Sequence, residues 1–204
     1  MKYSVLIATY NRADELRETL RSLAAMRTEA SWEVIVVDNN SNDHTKTVVE
    51  EAAANYPVEL RYIFEGEQGK PAALNTGLRA VRGEIVAYTD DDVRVAPDWL
   101  DHAGRALDEF GCDYVGGKVL PLWRGEPPVW LPNKGGKHWA VIALLDYGTE
   151  PFELVNRSPL GVNMAVRMRA HTELGLLWDN RFGRQGSTLR GQEQREWCMR
   201  ARAA

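Results

Sequence analysis

The chain has 204 residues, 44% of them hydrophobic and 26% charged, which is the balance of a soluble globular protein rather than a disordered, collagenous or membrane-embedded one. At this length one core can bury roughly 70% of the unfolded chain's surface, so a single domain needs no disulfide or structural metal. The net charge of -4 argues against a partner held by phosphate neutralisation, and no nucleic acid is expected.

The other broad features are soon read. Cys112 and Cys198 show neither Cys-x-x-Cys spacing nor a histidine at ligand spacing, which fits a reducing, cytoplasmic setting. The longest apolar run, Trp139 to Leu145, is far shorter than the roughly 20 residues that span a bilayer, and Met1 leads straight into a strand. Charge is uneven: nine arginines against four acids from Arg157 onward leave that segment basic and the rest acidic. It reads as a solvated face or as an attractor of an anionic acceptor or of lipid headgroups, which would allow peripheral contact with the inner face of a membrane.

Lys2 to Ala8 reads as a strand. After the break Thr9-Tyr10-Asn11-Arg12, leucines at 16, 20 and 23 take up helical spacing. The β-α step repeats: Glu33 to Val37 is a strand buried on both faces, Asp38 to Asn42 is turn chemistry, and Asp43 to Asn55 is helix. Glu59 to Phe64 is the next strand and Pro71 to Arg82 the next helix, with Leu74, Leu78 and Val81 as its stripe. Glu84 to Thr89 runs into Asp90-Asp91-Asp92, and Pro97 opens a helix to about Phe110. Beyond Asp113 the rhythm fades. Val115 to Leu120 suggests a strand, Pro121 to Gly136 a loop, and Ser158 to Met168 a strand entering a helix. Trp123, Trp130 and Trp139 in that loop region read as a core plug or as a face for carbohydrate or lipid.

Such alternation predicts an α/β fold with a doubly wound, mainly parallel sheet and helices on both faces. Residues 1-120 form one half, and 121-204 the second half of the same domain. Ligands of these sheets bind at the carboxyl ends of the strands. The residues at those ends are Thr9 to Arg12, Asp38 to Asn40, Glu65 to Lys70 and the three aspartates.

Three adjacent carboxylates repel one another unless a cation compensates, and oxygen donors suit Mg²⁺ or Mn²⁺ that completes its shell with substrate phosphates. Extended backbone would face Asp90 and Asp92 one way and Asp91 the other. An acidic cap for the next helix is the plainer alternative. Gly69-Lys70-Pro71 at a helix start invites a phosphate or is an ordinary first turn; it matches neither a P-loop nor a dinucleotide fingerprint. Asp38 either accepts a hydrogen bond from a base or ribose or holds the turn after it. The four histidines make no metal or triad pair and read as surface or satisfied residues.

Four motifs in order, Ser4 to Arg12, Glu33 to Ser41, Gly69 to Gly77 and Asp90-Asp91-Asp92, resemble family 2 glycosyltransferases of the GT-A fold. Gly161 to Ala165, Trp178 to Gly183 and Gly191 to Arg200 are similar to the acceptor-side half of those enzymes. The resemblance implies an inverting transferase with a nucleoside-diphosphate sugar donor and a saccharide or lipid-linked acceptor, in cell-surface polysaccharide or glycolipid assembly. It implies that Thr9, Tyr10, Arg12 and Asp38 hold the nucleoside and that Lys70 lies near ribose or phosphate. Asp90 and Asp91 would complete the nucleotide site, with Asp92 on the metal.

The family usually places Glu-Asp at the start of the last helix, with the aspartate as base; here Glu193 is followed by Gln194. An amide takes no proton from a hydroxyl, which leaves Glu193 as the candidate base, with Trp197 one turn on to desolvate it and raise its pKa. The helix has no terminating signal before Ala204, so the chain is expected to be a fragment of a longer protein. A non-catalytic nucleotide-sugar module is the rival reading. A haloacid-dehalogenase-type phosphatase is the remote one, because three β-α units precede the aspartates here.

Overall fold

The structure is a computed structural model that describes residues 1–123, 125–126, 128–131, 144–155, 157–183 and 191–204. Its elements run β1 (Tyr3–Thr9), α1 (Ala13–Ala24), β2 (Trp32–Asp38), α2 (Thr45–Ala53), β3 (Glu59–Phe64), α3 (Lys70–Leu78), β4 (Ile85–Thr89) and α4 (Trp99–Glu109). Then come β5 (Tyr114–Gly116), a 3-10 turn (Gly161–Asn163), β6 (Met164–Arg167), α5 (Met168–Thr172) and α6 (Glu193–Ala203).

The six strands lie in the order β3-β2-β1-β4-β6-β5. β1 pairs in parallel with both β2 and β4, and β2 with β3. The chain therefore winds outward from β1 to β3, then crosses back to β4 on the other side of β1. That reversal opens a crevice between the carboxyl ends of β1 and β4, where ligands of such sheets bind. β6 is antiparallel to both β4 and β5, a departure from the parallel rhythm of the first half.

Every residue of β2 is buried, as a strand covered on both faces requires. One covering layer comes from α1, α2 and α4: Leu16, Leu20, Leu23, Val48, Val49, Leu100 and Leu107 pack over Val5, Ile7, Val34 and Val36. The other comes from α3, α5, α6 and the segment around Trp178, packed on Leu6, Ile35, Val37, Val86 and Tyr88. Each fully buried leucine contributes about 2 kcal/mol by leaving water. α3 sits so close to the sheet that a Cβ on Gly77 would meet Leu6 Cδ1 at 2.3 Å.

Several expected boundaries move. The strand expected over Val115 to Leu120 is β5, which ends at Gly116, and beyond it Val119 only bridges to Leu145. α3 ends at Leu78, so Val81 lies in the following turn, where Arg82 N–H binds Glu33 and Gly83 N–H binds Ser4 Oγ. α2 begins at Thr45 because Asp43 acts as a joint cap, accepting from the backbone of Thr45 at 3.0 Å and of Ala13 at 3.1 Å. Burial disfavours the Asp43 charge, but these bonds and the Thr45 hydroxyl outweigh it and hold its pKa below the usual range.

Trp123 and Trp130 are exposed, at 39% and 61%, so neither plugs the core, and Trp139 lies outside the described residues. His171 is buried and satisfied, between the Tyr88 hydroxyl and the Leu176 carbonyl, and burial lowers its pKa to about 4. His44 and His102 are exposed beside Asp14 and Asp98, and His138 lies outside the described residues. Both thiols are free. Among the described residues no helix is long and apolar enough to cross a membrane.

Thr89 Oγ1 is a buried hydroxyl without a hydrogen-bond partner among the described residues. Thr89→Val keeps the shape and removes the unpaired group, so thermal unfolding should show no loss of stability; a loss above about 1 kcal/mol would reveal a bond to that hydroxyl.

Candidate active site

The crevice between β1 and β4 is stitched by side chains from both banks. Thr9 Oγ1 donates to Asp91 Oδ2 at 2.7 Å, and one Arg12 nitrogen spans to Asp91 Oδ1 at 3.3 Å and Asp92 Oδ2 at 2.9 Å. From the opposite bank Lys70 Nζ donates to Asp90 Oδ1 at 2.5 Å. Two cations thus serve three carboxylates.

The expected alternation of the aspartates does not hold. β4 ends at Thr89, and the chain turns through Asp91 and Asp92 instead of continuing extended. Asp91 and Asp92 therefore share Arg12, while Asp90 turns to Lys70. Asp91 is 5% exposed and its pKa rises to about 6. Burial is the chief cause; the Thr9 bond and Arg12 oppose it, and the charges of Asp92 and Asp90 add to it. Burial works against the Lys70 ammonium too, but Asp90, Glu193 and Asp91 outweigh it and raise its pKa.

Asp38 holds its turn: Oδ1 accepts from Ser41 N–H at 2.9 Å and Oδ2 from the Tyr62 hydroxyl at 2.7 Å. It is buried, whereas Tyr10 next to Thr9 is 43% exposed at the crevice mouth. Burial, and then the bond to Asp38, push the Tyr62 pKa up. Gly69 takes φ 146°, a conformation that favours glycine, and Pro71 follows in the first turn of α3, which sets Lys70 at the helix start.

α6 begins with Glu193, straight after Gln192 in the left-handed region at φ 84°. Glu193 and Gln194 line a small cavity with Lys70, Tyr88, Asp90 and Trp178, about 10 Å³ and so no larger than a water. Glu196 is engaged elsewhere: Arg200 grips both of its oxygens at 2.6 and 2.8 Å. Trp197 is fully buried in the core, stacked on Trp178 and bonded to the Leu176 carbonyl at 2.7 Å. Its ring thus serves the core rather than the role expected beside Glu193.

The basic segment spends much of its charge locally. Arg167, Arg169, Arg181 and Arg200 pair with Asp108, Asp113, Asp179 and Glu196.

Oxygen donors at a strand end suit Mg²⁺ or Mn²⁺. Among the described residues no group of three or more acids, histidines or cysteines could by itself enclose a metal. Asp90 and Asp92 have side chains 33% and 42% exposed. The donor set fits an ion that takes one or two carboxylates and draws its remaining ligands from a phosphate substrate and water.

Residues 4–149 match the family described as Glycosyl transferase family 2, and the chain belongs to that family. The glycosyltransferase AglE of Haloferax volcanii is 35% identical over 118 residues, 57% of this chain and 38% of AglE. The matched stretch thus spans well under half the length of that relative. The crystal structure of Staphylococcus aureus TarS 1-349 in complex with UDP-GlcNAc superposes with a TM-score of 0.70 at 23% identity, covering 98% of this chain and 53% of that one. The mannosyltransferase PcManGT of Pyrobaculum calidifontis, in complex with GDP-Man and Mn²⁺, gives 0.67 at 26% identity over 89% of this chain and 48% of that one. The fold is of the GT-A type.

Proposed function

We propose that this chain carries the donor site and the base of an inverting glycosyltransferase that moves a sugar from a nucleoside diphosphate to an acceptor hydroxyl. The acceptor would be a growing saccharide or a lipid-linked glycan. The observation that carries this reading is the convergence of Thr9, Arg12, Lys70 and the three aspartates on one switch-point crevice, with Glu193 at its inner wall. Family membership supports it, as does the 26% identical PcManGT structure that holds GDP-Man and Mn²⁺.

Thr9, Tyr10 and Asp38 flank the nucleoside, while Arg12 and Lys70 offer positive charge to the diphosphate. Asp90 and Asp91 complete that site. Asp92, more exposed than Asp91, would hold the Mg²⁺ or Mn²⁺, which when bound offsets the charge that builds on the departing diphosphate. Glu193 takes the proton of the acceptor hydroxyl as its oxygen bonds to the anomeric carbon. The bond from that carbon to the diphosphate breaks on the opposite side, which inverts the centre.

Thermal unfolding with UDP, GDP, dTDP and CDP tests the reading. One of them should raise the melting temperature, and more so with Mn²⁺ than in EDTA. Asp92→Ala should abolish the Mn²⁺-dependent part of that shift. Asp91→Ala should instead lower the melting temperature of the free protein, because Asp91 ties β4 to Thr9 and Arg12. Equal shifts in EDTA and in Mn²⁺ would remove the metal from the mechanism.

A further inference from the structure

Beside the charged crevice lies a residue whose groups all point inward. Asn39 follows β2 directly and is 5% exposed. Its backbone N–H donates to the Thr9 carbonyl at 2.8 Å, which fixes the end of β1. Its side-chain Nδ2 donates to the carbonyls of Glu67 at 2.6 Å and Glu65 at 3.4 Å, and its Oδ1 accepts from Gly69 N–H at 2.8 Å. The Gln68 amide closes the set on the Asn39 carbonyl. One buried residue thus joins the β1 end, through its backbone, to the loop from Glu65 to Gly69, through its side chain, and the next residue of that loop is Lys70.

We propose that Asn39 is a positioning residue: it fixes Lys70 relative to Thr9 and so sets the width of the crevice that receives a nucleoside diphosphate. The inference rests on the donor-site reading above. Among natural side chains only an amide combines donors for two carbonyls with an acceptor for an N–H at this length. A loop without these bonds would leave the Gly69 conformation, and with it the Lys70 ammonium, free to drift from Asp90. Misplacing one charge-assisted contact costs about tenfold or more in affinity.

Asn39→Asp tests this because it is nearly isosteric and keeps the acceptor for Gly69, yet sets a carboxylate oxygen against two carbonyls. The probe is whichever of UDP, GDP, dTDP and CDP gives the wild type its largest thermal shift, titrated calorimetrically in excess Mn²⁺. Asn39→Asp should weaken its binding about tenfold. In a Lys70→Met background the same change should cost less than about threefold, since Asn39 acts through Lys70. A merely structural role would add the same loss in both backgrounds, and that additivity would overturn the proposal. Should Asn39→Asp lose its cooperative melting transition, Gln68→Leu, which removes only the outer bond onto Asn39, carries the same cycle. If none of the four nucleotides binds the wild type, the donor-site reading falls and takes this one with it. If one binds and the cycle is additive, this inference falls alone.

Discussion

Glu193→Gln is expected to lower kcat by about 10² to 10⁴-fold at saturating donor, the usual contribution of a positioned base. The change is nearly isosteric and removes only the proton-accepting charge. Glu193 opens α6 beside Lys70 and Asp90, whereas Glu196 is committed to the two-pronged Arg200 contact. Glu196→Gln should therefore leave kcat within about threefold and show itself instead in the stability of the helix. Steady-state kinetics on the two variants decide the matter. A Glu193→Gln enzyme that keeps more than about a third of its kcat would move the base to another group.

Arg61→Met should be strongly destabilising although it lies away from the crevice. Glu33, fully buried at the start of β2, takes the Arg61 guanidinium at 2.9 Å, the Ser4 hydroxyl at 2.7 Å and the Arg82 N–H at 3.0 Å. Burial alone would raise the Glu33 pKa, but the bonds from Ser4, Arg61 and Arg82 outweigh it and hold it below the usual value. Removing the cation leaves a buried charge short of its partner, a loss of about 3–5 kcal/mol. For a chain of this size that lowers the melting temperature by roughly 6 to 20 °C. The sign with pH follows from the depressed pKa: the wild-type contribution is complete above about pH 4.5 and is lost as pH falls through the folded value. The gap between wild type and Arg61→Met should accordingly narrow in acid, where Glu33 is neutral in both. Thermal melts across pH 3 to 7 measure it, and a gap that widens in acid would show that Arg61 acts through something other than the Glu33 charge.

The β-α rhythm was legible because it rests on local periodicity. Leu16, Leu20 and Leu23 of α1 are buried, as their spacing requires, and the apolar run of β2 is covered on both faces. The direction of β6 was not legible, since Met-Ala-Val-Arg has the same pattern read either way and only its partners β4 and β5 set its sense. The aspartates misled for a related reason. Alternation applies only while a strand continues, and the sequence does not mark Thr89 as the last residue of β4. Asn39 stood in plain sight at a strand end, but its partners come from two other segments, Thr9 from the end of β1 and Glu65, Glu67 and Gly69 from the loop before α3. Glu33 did carry a signal: a carboxylate at the start of a fully buried strand demands a cation, and Arg61, on the neighbouring strand, supplies it. Trp197 shows the opposite error, where helical spacing brought it near Glu193 on paper while the core of Trp178, His171 and Tyr114 claimed its ring.

The antiparallel β6 has a consequence for how this molecule can be divided. It enters the sheet between β4 and β5, strands contributed from far earlier in the chain, and covers the outer flank of β4. Expressed alone, the residues up to α4 would present β4 as a bare edge, its amides unpaired and Val86 and Tyr88 stripped of Val166, Met164 and Trp178. Such an edge is a template for another copy of itself. Swapping the first hundred residues between relatives would therefore require carrying β6 along.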